Sequence, residues 1–315
     1  MTDRLSGIHH VSALSAHIAR TRDFYTRVLG MRPVITTVNQ DDPRMYHLFF
    51  GDGAGSAGSD MTVFDMPHAA PQHHGNNSIS LTTFRVAGER TLRWWEARLE
   101  SLDIAHAGIG LRDGRAVLDF EDWEGTQLSL VDDGGTDASF PWADSPVPAE
   151  HQIRGLGPIT VSVPRLDRTA LVLTAGMDMR AAREYRRGDS PVHVFDMGAG
   201  GPAAELHVAV EPHLEPAQPG AGGVHHVAFR TPDDRTYRDA AERLQAMRAP
   251  SSGPVDRYYF KSLYFREPNG ILFEIATDGP GFATDEPMDR LGERLALPPF
   301  LEPRRAQIEA GLKPL

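Results

Sequence analysis

The chain has 315 residues, of which 40% are hydrophobic and 24% charged, and its formal net charge is −11. Its acidic balance and scattered Lys and Arg exclude the basic stripe of a nucleic-acid-binding protein. No window reaches the roughly 18 apolar residues of a membrane-spanning helix, and the start MTDRLSGIHH lacks the pattern of a signal peptide. The sequence therefore predicts a cytoplasmic protein that has neither nucleic acid nor membrane as a partner.

The predicted elements follow the same order four times along the chain. Short apolar strands begin near residues 7, 79, 156 and 224, and each is followed by a helix and then by three strand-like runs. LDFEDWEGTQLSLVDDG at 118–134 also matches LYFREPNGILFEIATDG at 263–279 without a gap. The predicted helices lie at Ile18–Leu29, at Thr91–Leu102, from Asp167 onward and at Thr236–Met247. We therefore expect an α+β fold of four tandem βαβββ modules, numbered 1 to 4 in chain order.

Gly, Pro, Asn, Asp and Ala concentrate between the modules without a sustained hydrophobic period, which is typical of linkers. The predicted linkers are 67–77, 134–148 and 211–223. Grouping the modules in chain order predicts an N-terminal domain at 1–148, a C-terminal domain at 149–280 and a tail at 281–315. One short helix is expected in this tail, near Arg304–Ala310.

Two histidine pairs and one glutamate stand out in the apolar strands. The string HHV opens the first strand of modules 1 and 4, and Glu274 lies within LFEIA on the last strand of module 4. A carboxylate there is costly to bury unless it is paired or coordinated. Because the chain contains no Cys, any metal ion must be held by His, Asp or Glu. A lone strand histidine is more often a core residue, but the repetition favours a metal site.

The other modules lack this combination of side chains. Leu81 and Pro158 take the place of the strand histidine in modules 2 and 3, and Thr62, Ser129 and Glu205 take the place of Glu274 in modules 1, 2 and 3. Two imidazoles and a carboxylate leave up to three coordination positions open, as in non-haem Fe(II) centres. We therefore expect one metal site per chain, formed by modules 1 and 4, and a structural role for Glu205.

Several strings carry a resemblance to a known family. GIHHVS, DFYTRVLGMR, YHLFFGD, GGVHHVAF and DRYYFKSLYFREPNGILFEIATDGPGF resemble the vicinal oxygen chelate superfamily, which includes glyoxalase I, fosfomycin-resistance proteins and extradiol dioxygenases. The nearer resemblance is to the hydroquinone-type ring-cleaving dioxygenases, and it covers nearly the whole chain. It implies two domains with cup-shaped mixed sheets and a divalent metal ion.

The resemblance also implies which residues bind that ion. It assigns the second histidine of each pair, so that His10, His226 and Glu274 hold Fe(II), with Mn(II) as the alternative. Neighbouring strand residues point to opposite faces, whereas Ser12 shares the face of His10 and is expected to contact substrate. His9 and His225 are expected to bind substrate or act as acid or base if the strands twist or bulge there. Exposed strand-end histidines are the alternative interpretation.

Arg257 and Tyr264 complete the set that the resemblance implies. Both would face a bound aromatic diol, with Arg257 stabilising negative charge and Tyr264 donating a hydrogen bond or relaying a proton. From the residues alone, Tyr264 is an ordinary strand aromatic, and His47 is structural or supports the ligands.

The implied reaction is Fe(II)-dependent, extradiol-type cleavage of a hydroquinone or catechol-like aromatic diol by dioxygen. One alternative is a metal-dependent glyoxalase, isomerase or thiol transferase, which Thr62 disfavours because a glyoxalase-type isomerase would supply a fourth ligand there. The other is a non-catalytic small-molecule-binding protein of the same fold. The sequence allows a homo-oligomer without specifying one.

Overall fold

The computed structural model describes residues 5–135 and 138–315 and contains four copies of one βαβββ unit. Module 1 comprises β1 (Ile8–Ser15), α1 (Ile18–Asp23), β2 (Arg32–Val38), β3 (Tyr46–Gly51) and β4 (Asp60–Asp65). Module 2 comprises β5 (Ser78–Val86), α2 (Gly88–Ser101), β6 (His106–Arg112), β7 (Arg115–Glu121) and β8 (Gln127–Asp132). The predicted α+β fold of tandem modules is confirmed.

The second half of the chain repeats the unit twice more. Module 3 comprises β9 (Leu156–Val163), α3 (Asp167–Leu171), β10 (Arg180–Arg187), β11 (Ser190–Asp196) and β12 (Glu205–Val210). Module 4 comprises β13 (Val224–Thr231), α4 (Asp234–Ala246), β14 (Val255–Asp256), β15 (Phe260–Arg266) and β16 (Leu272–Pro280). Two of the helices, α1 and α3, continue as wider π-helical turns over Phe24–Val28 and Val172–Gly176.

The helix of module 1 ends at a glycine that no other residue could replace without strain. Gly30 has a φ of +68°, the left-handed conformation that glycine adopts at little cost. A Cβ at this position would lie 2.5 Å from a methyl group of Val147 and 2.6 Å from the hydroxyl of Ser145. The helix end therefore packs closely against the predicted linker 134–148, of which residues 136 and 137 lie outside the described residues.

The sixteen strands of the described residues form two curled, mixed sheets of eight strands each. The first sheet has the order β14-β15-β16-β13-β1-β4-β3-β2 and joins module 4 to module 1. The second sheet has the order β10-β11-β12-β9-β5-β8-β7-β6 and joins module 3 to module 2. In each sheet the two modules meet through antiparallel first strands, and each first strand runs parallel to the last strand of its own module.

The sheets join modules across the predicted domain boundary at residue 148. Chain order pairs module 1 with module 2, whereas hydrogen bonding pairs module 1 with module 4 and encloses modules 2 and 3 in the other sheet. The sequence boundaries remain a prediction about units along the chain. The hydrogen-bonded arrangement is what brings the two HHV strings onto neighbouring strands.

The C-terminal tail covers the β2 edge of the first sheet. The backbone N–H of Ala296 donates to the carbonyl of Thr36 over 2.8 Å, and α5 (Arg305–Gly311) packs Ile308 against the same cluster as Val38. An uncovered edge strand would expose unpaired backbone groups to other chains. The predicted tail helix is confirmed. Within the described residues, no helix combines the length and the apolar composition needed to cross a membrane.

Candidate metal centre

The three predicted metal ligands lie on three adjacent strands at the centre of the first sheet. The strand register places His10 of β1 opposite Ala228 of β13, and Ala228 beside Glu274 of β16. His226 lies two residues before Ala228 on β13, so its side chain points to the same face. The ligand atoms of His10, His226 and Glu274 all lie within 4.8 Å of one another. The structure therefore brings together residues that are far apart in the chain.

The spacing of these atoms fits a shared metal ion. Glu274 Oε2 lies 3.0 Å from His226 Nε2 and 3.2 Å from His10 Nε2, and the two Nε2 atoms are 3.2 Å apart. Separations near 3 Å are expected for neighbouring ligands whose bonds to one ion are about 2.1 Å long. No donor among the described residues makes a well-directed hydrogen bond to Glu274 Oε2, although the atom is fully buried.

The electrostatics of the three ligands agree with this fit. Burial alone would raise the pKa of Glu274, but His10 and His226 outweigh it and hold the pKa of that carboxyl well below its usual range. Burial lowers the pKa of His226, which favours the neutral imidazole that a metal requires. A charged, buried carboxylate beside two imidazoles is a donor set for a divalent cation.

A β-bulge precedes each ligand histidine. Between β1 and β13 the register shifts once at His9 and once at His225, so that each of these residues is the extra one in its strand. Bulges re-aim side chains and are frequent next to active sites. Here they turn both rings toward the ligands: Nδ1 of His9 is 2.9 Å from Nδ1 of His10, and Nδ1 of His225 is 2.8 Å from Nδ1 of His226.

The contacts of His9 determine which nitrogen of His10 is free. His9 Nε2 lies 3.1 Å from the carbonyl oxygen of Thr277, which can only accept a hydrogen bond, so Nε2 carries the proton. Burial, followed by the neighbouring His10, lowers the pKa of His9 to about 3, and the neutral ring leaves Nδ1 unprotonated. His10 must then donate from its own Nδ1. Its Nε2 is left with the lone pair that faces Glu274 and His226.

The metal-binding face opens into a cavity that contains ≈ 490 Å³ of empty space when the open solvent at its mouth is counted. His10 and His226 contribute to its floor. Much of the wall is aromatic and comes from both modules: Phe49, Phe64, Tyr259, Phe260 and Tyr264. A concave, largely apolar site with a few converging polar groups is typical of small-molecule binding. This shape suits a flat aromatic ring held next to the metal ligands.

Two of the predicted substrate residues line this cavity. Arg257 Nε donates to Tyr264 Oη over 3.3 Å, and its guanidinium lies 5.3 Å from the centre of the Tyr264 ring. Burial and the charge of Glu274 raise the pKa of Tyr264 far enough to keep its hydroxyl protonated. Asp41 and Tyr264 outweigh burial and raise the pKa of Arg257, which stays charged. The site thus presents one hydrogen-bond donor and one fixed cation.

The other three predicted substrate residues lie behind or beside the ligands and are not among the residues lining the cavity in the described part of the chain. Ser12 Oγ is 3.0 Å from His226 Nε2 and 2.6 Å from Thr62 Oγ1. His9 is buried against His10, and His225 reaches the surface. Their contacts are with the ligands themselves.

A strained turn places Arg257 at the cavity. Tyr258 has a φ of +72°, and the N–H of Tyr259 donates to the carbonyl of Arg257 over 2.9 Å, which closes a three-residue γ-turn. A γ-turn with positive φ is rare and strained, and such strain is concentrated at functional sites. The turn directs Arg257 and Tyr259 into the same cavity. No signal in the sequence distinguishes this turn from an ordinary loop.

His47 belongs to the cavity wall, a position that the sequence reasoning missed. Its Nε2 lies 2.9 Å from Thr62 Oγ1, and its ring stacks on Phe64 with centroids 3.9 Å apart. Burial, together with the nearby His10 and His226, holds the pKa of His47 well below its usual range, so the ring is neutral. The register of β3 against β4 would have been needed to find it from the sequence.

The second sheet corrects one detail of the module comparison. Its register sets Thr160 opposite His207, so His207 rather than Glu205 corresponds to Glu274. Glu205 is two residues away on the same face, a shift that leaves the alternation of apolar residues unchanged. Asp113, Glu205 and His207 do lie close together, but Arg115 and Arg183 contact both carboxylates. The negative charge of this cluster is therefore already balanced.

The fold and the site together define the class of protein. The chain belongs to the glyoxalase/bleomycin resistance protein/dioxygenase superfamily, whose family model matches residues 7–175 and 155–275. The predicted superfamily is confirmed.

Individual relatives match over almost the whole chain. The chain is 46% identical over 314 residues, 99% of each protein, to the Bacillus subtilis protein named "Putative ring-cleaving dioxygenase MhqA". It is 29% identical to the chlorohydroquinone/hydroquinone 1,2-dioxygenase of Sphingobium indicum, over 96% of this chain and 94% of that protein. It superposes on the crystal structure of a "putative dioxygenase" from B. subtilis with a TM-score of 0.91 and 35% identity, covering 99% and 98% of the two chains.

Proposed function

We propose that this protein is a metal-dependent ring-cleaving dioxygenase that acts on a hydroquinone or catechol-like aromatic diol. The observation that carries the proposal is the buried set of His10, His226 and Glu274 at the floor of an aromatic cavity. The names of the full-length relatives support the same reaction class. We further propose Fe(II) as the metal, with Mn(II) as the alternative, because two imidazoles and a carboxylate suit both ions.

The chemistry follows from the residues that surround the cavity. When bound, Fe(II) supplies open coordination positions and a route for electrons between an aromatic diol and dioxygen. His10, His226 and Glu274 hold it, and the aromatic walls orient the ring of the substrate. Orientation of both reactants is a large part of the expected rate enhancement. The carbon–carbon bond beside a hydroxyl is the one that breaks, and both oxygen atoms enter the product.

Two residues at the cavity act on the charge and protons of the substrate. Tyr264, whose hydroxyl stays protonated, donates a hydrogen bond to a substrate oxygen. Arg257 donates to the Tyr264 hydroxyl from the cavity side, and we propose that it stabilises negative charge on a substrate oxygen through that hydroxyl. We propose that neutral His47 assists as a hydrogen-bond acceptor.

The histidines next to the ligands have different proposed roles. His225 reaches the surface at one side, but the packing of its ring beside His226 removes water from it; this desolvation, followed by the charge of His226, lowers the pKa of His225 to about 4, so its ring is neutral at pH 7. We keep it as the proposed acid or base. His9, which is buried and anchored to Thr277, is proposed to orient His10. Ser12 approaches the same His226 Nε2 atom that would bind the metal, and its predicted contact with substrate stays a proposal.

The decisive variant is His226→Ala, because it removes one ligand from the centre of the sheet. We expect loss of both stoichiometric metal after anaerobic reconstitution with Fe(II) and oxygen uptake with a panel of hydroquinones and catechols. Metal analysis and an oxygen electrode provide the two measurements. His193→Ala on β11 of the second sheet is the control and should behave as the wild type. Wild-type retention of either property in His226→Ala would contradict the site.

The same panel separates the alternatives. Isomerase or thiol-transferase activity with Ni(II) or Mn(II), without oxygen uptake, would favour the glyoxalase type of reaction. A wild-type preparation that retains no stoichiometric metal would favour a binding protein. Thr62, the position of a fourth ligand in the first alternative, is hydrogen-bonded to Ser12 and His47. The cytoplasmic location and the oligomeric state stay predictions from the sequence.

A further inference from the structure

The mouth of the cavity carries one pair of opposite charges. Arg257 and Asp41 are the charged residues among those that line the cavity in the described part of the chain. Their side chains form a two-armed ion pair, with Nη2 2.9 Å from Oδ2 and Nη1 3.2 Å from Oδ1. Such fork-shaped contacts are the arrangement in which a guanidinium binds a carboxylate best.

This ion pair ties two loops together across the mouth. Asp41 belongs to the connection between β2 and β3 in module 1, and Arg257 to the connection between β14 and β15 in module 4. A second bond supports the closure, since Gln40 Nε2 donates to the carbonyl of Arg257 over 2.8 Å. The loop of module 1 is therefore fixed where its carboxylate covers the guanidinium.

All three nitrogen atoms of the Arg257 guanidinium already have an acceptor. Nε donates to Tyr264 inside the cavity, and both terminal nitrogens donate to Asp41. The Asp41 side chain is 73% exposed and that of Arg257 is 21% exposed, so the carboxylate lies on the solvent side of the pair. A substrate carboxylate that approached Arg257 would have to displace Asp41 or lie close to a like charge.

We propose that Asp41 selects against aromatic diols that carry an anionic ring substituent, because it neutralises the guanidinium that would otherwise bind that substituent. This inference rests on the function proposed above. Discrimination arises from a repulsive element as well as from attractive contacts with the accepted substrate. Diols with uncharged substituents are not repelled, because the opposite charges of Arg257 and Asp41 at the cavity mouth cancel.

The test is Asp41→Asn, which removes the charge and keeps the shape of the side chain. The control is Asp42→Asn in the same loop, because Asp42 pairs with Arg44 at 2.6 Å and is not among the residues that line the cavity in the described part of the chain. Both variants lose one negative charge at adjacent positions. The probes are methylhydroquinone as the uncharged diol, and 2,5-dihydroxybenzoate and 2,5-dihydroxyphenylacetate as the anionic diols.

The measured quantity is the ratio of kcat/KM for an anionic diol to kcat/KM for methylhydroquinone. We expect Asp41→Asn to raise this ratio about tenfold, the lower range for one charge-assisted hydrogen bond, and Asp42→Asn to leave it at the wild-type value. The gain should shrink at high salt, because the cavity mouth is accessible to ions. An unchanged ratio in Asp41→Asn, or an equal rise in Asp42→Asn, would overturn the inference.

Anaerobic binding of the same compounds, measured by calorimetry, separates this inference from the proposed reaction. If the wild type consumes no oxygen with any diol, the proposed function fails. The ratio of the two binding affinities then decides the role of Asp41. A tenfold shift toward the anionic compound in Asp41→Asn alone would support that role, and no shift would overturn it.

Discussion

The two sheets share one construction and differ in what balances the charge at their centres. In the first sheet, Glu274 lies between the imidazoles of His10 and His226, and no donor among the described residues makes a well-directed hydrogen bond to its Oε2. In the second sheet, Glu205 accepts hydrogen bonds from both terminal nitrogens of Arg115, at 2.7 and 2.8 Å, and also lies 2.9 Å from Arg183. Glu274 is thus a candidate ligand for an external cation, whereas Glu205 is neutralised by arginines of the chain itself.

The difference extends to other corresponding positions of the two sheets. The register places Asp119 of the second sheet where the first sheet has Tyr264, and Asp119 is paired with Arg112. His207, at the position that corresponds to Glu274, lies 3.1 Å from Glu205 and 3.0 Å from Tyr185 Oη. Arg115 and Arg183 balance the charge of Glu205, so we expect the second sheet to bind no metal ion. Only the first sheet retains ligands without a counter-charge among the described residues.

Neutralising each carboxylate in turn tests the difference between the two sheets most directly. Glu274→Gln keeps the shape of the side chain but removes the charge, and we expect metal affinity to fall by more than about 100-fold, beyond the effect of disturbing an outer contact. Glu205→Gln should keep the wild-type metal content and oxygen uptake. Metal analysis after gel filtration provides the measurement. Equal metal loss in the two variants would show that the second sheet also holds metal.

Stability should respond in the opposite way. Glu205→Gln leaves Arg115 and Arg183 without a full counter-charge, and because both guanidiniums are partly exposed we expect a loss of about 2 kcal/mol in unfolding free energy, below the range for a fully buried pair. Urea unfolding of metal-free protein measures it. Glu184→Gln on the exposed edge strand β10 is the control and should cost less than about 0.5 kcal/mol.

The stability that Glu205 contributes should depend on pH. Burial alone would raise the pKa of Glu205, but hydrogen bonds from Arg115 and His207 outweigh it and hold the pKa well below the usual value of 4.5. The unfolded chain then binds the proton more readily than the folded one, so stability is present above the unfolded pKa and is lost as pH falls toward the folded pKa. The difference between wild type and Glu205→Gln should be constant from pH 7 to 5 and shrink below about 4.5. A difference that stays constant down to pH 3 would contradict this origin.

The sequence predicted the modules and the ligands for the same physical reason. Strand side chains alternate with a period of two, so repeated HHV strings and a glutamate in an apolar run mark one buried face. The pairing of module 1 with module 4 in one sheet does not follow from chain order, because the contacts between β1 and β13 link residues more than two hundred positions apart. The ion pair of Asp41 and Arg257 could not be predicted for the same reason, because 216 positions separate the two residues along the chain.

Other features could not be predicted from the sequence because they do not change the alternation of apolar and polar residues along the strands. A two-residue shift places Glu205 instead of His207 at the position of Glu274 without changing the face, and period-two reasoning cannot detect it. The sequence did not predict the bulges at His9 and His225; it predicted only that these rings would reach the site if the strands twist or bulge there. The structure contains both bulges and directs the rings to the ligand histidines rather than to the cavity.

The smallest expected effect concerns how the first sheet prepares its ligands. His9→Phe keeps an aromatic ring beside Phe260 but removes the acceptor for the Nδ1 proton of His10. Without that acceptor, the proton of His10 is no longer fixed on Nδ1, and its Nε2 lone pair is no longer held toward the metal. We expect metal affinity to fall about tenfold, the lower range for outer contacts of a ligand. In His9→Asn the side-chain oxygen can accept the same hydrogen bond, so the metal affinity of this variant should be close to that of the wild type. Chelator competition measures both dissociation constants, with thermal unfolding of the metal-free proteins as the control for packing. If His9 only fills space, His9→Phe will bind metal as tightly as the wild type, and the bulge would then be a feature of the strand rather than of the site.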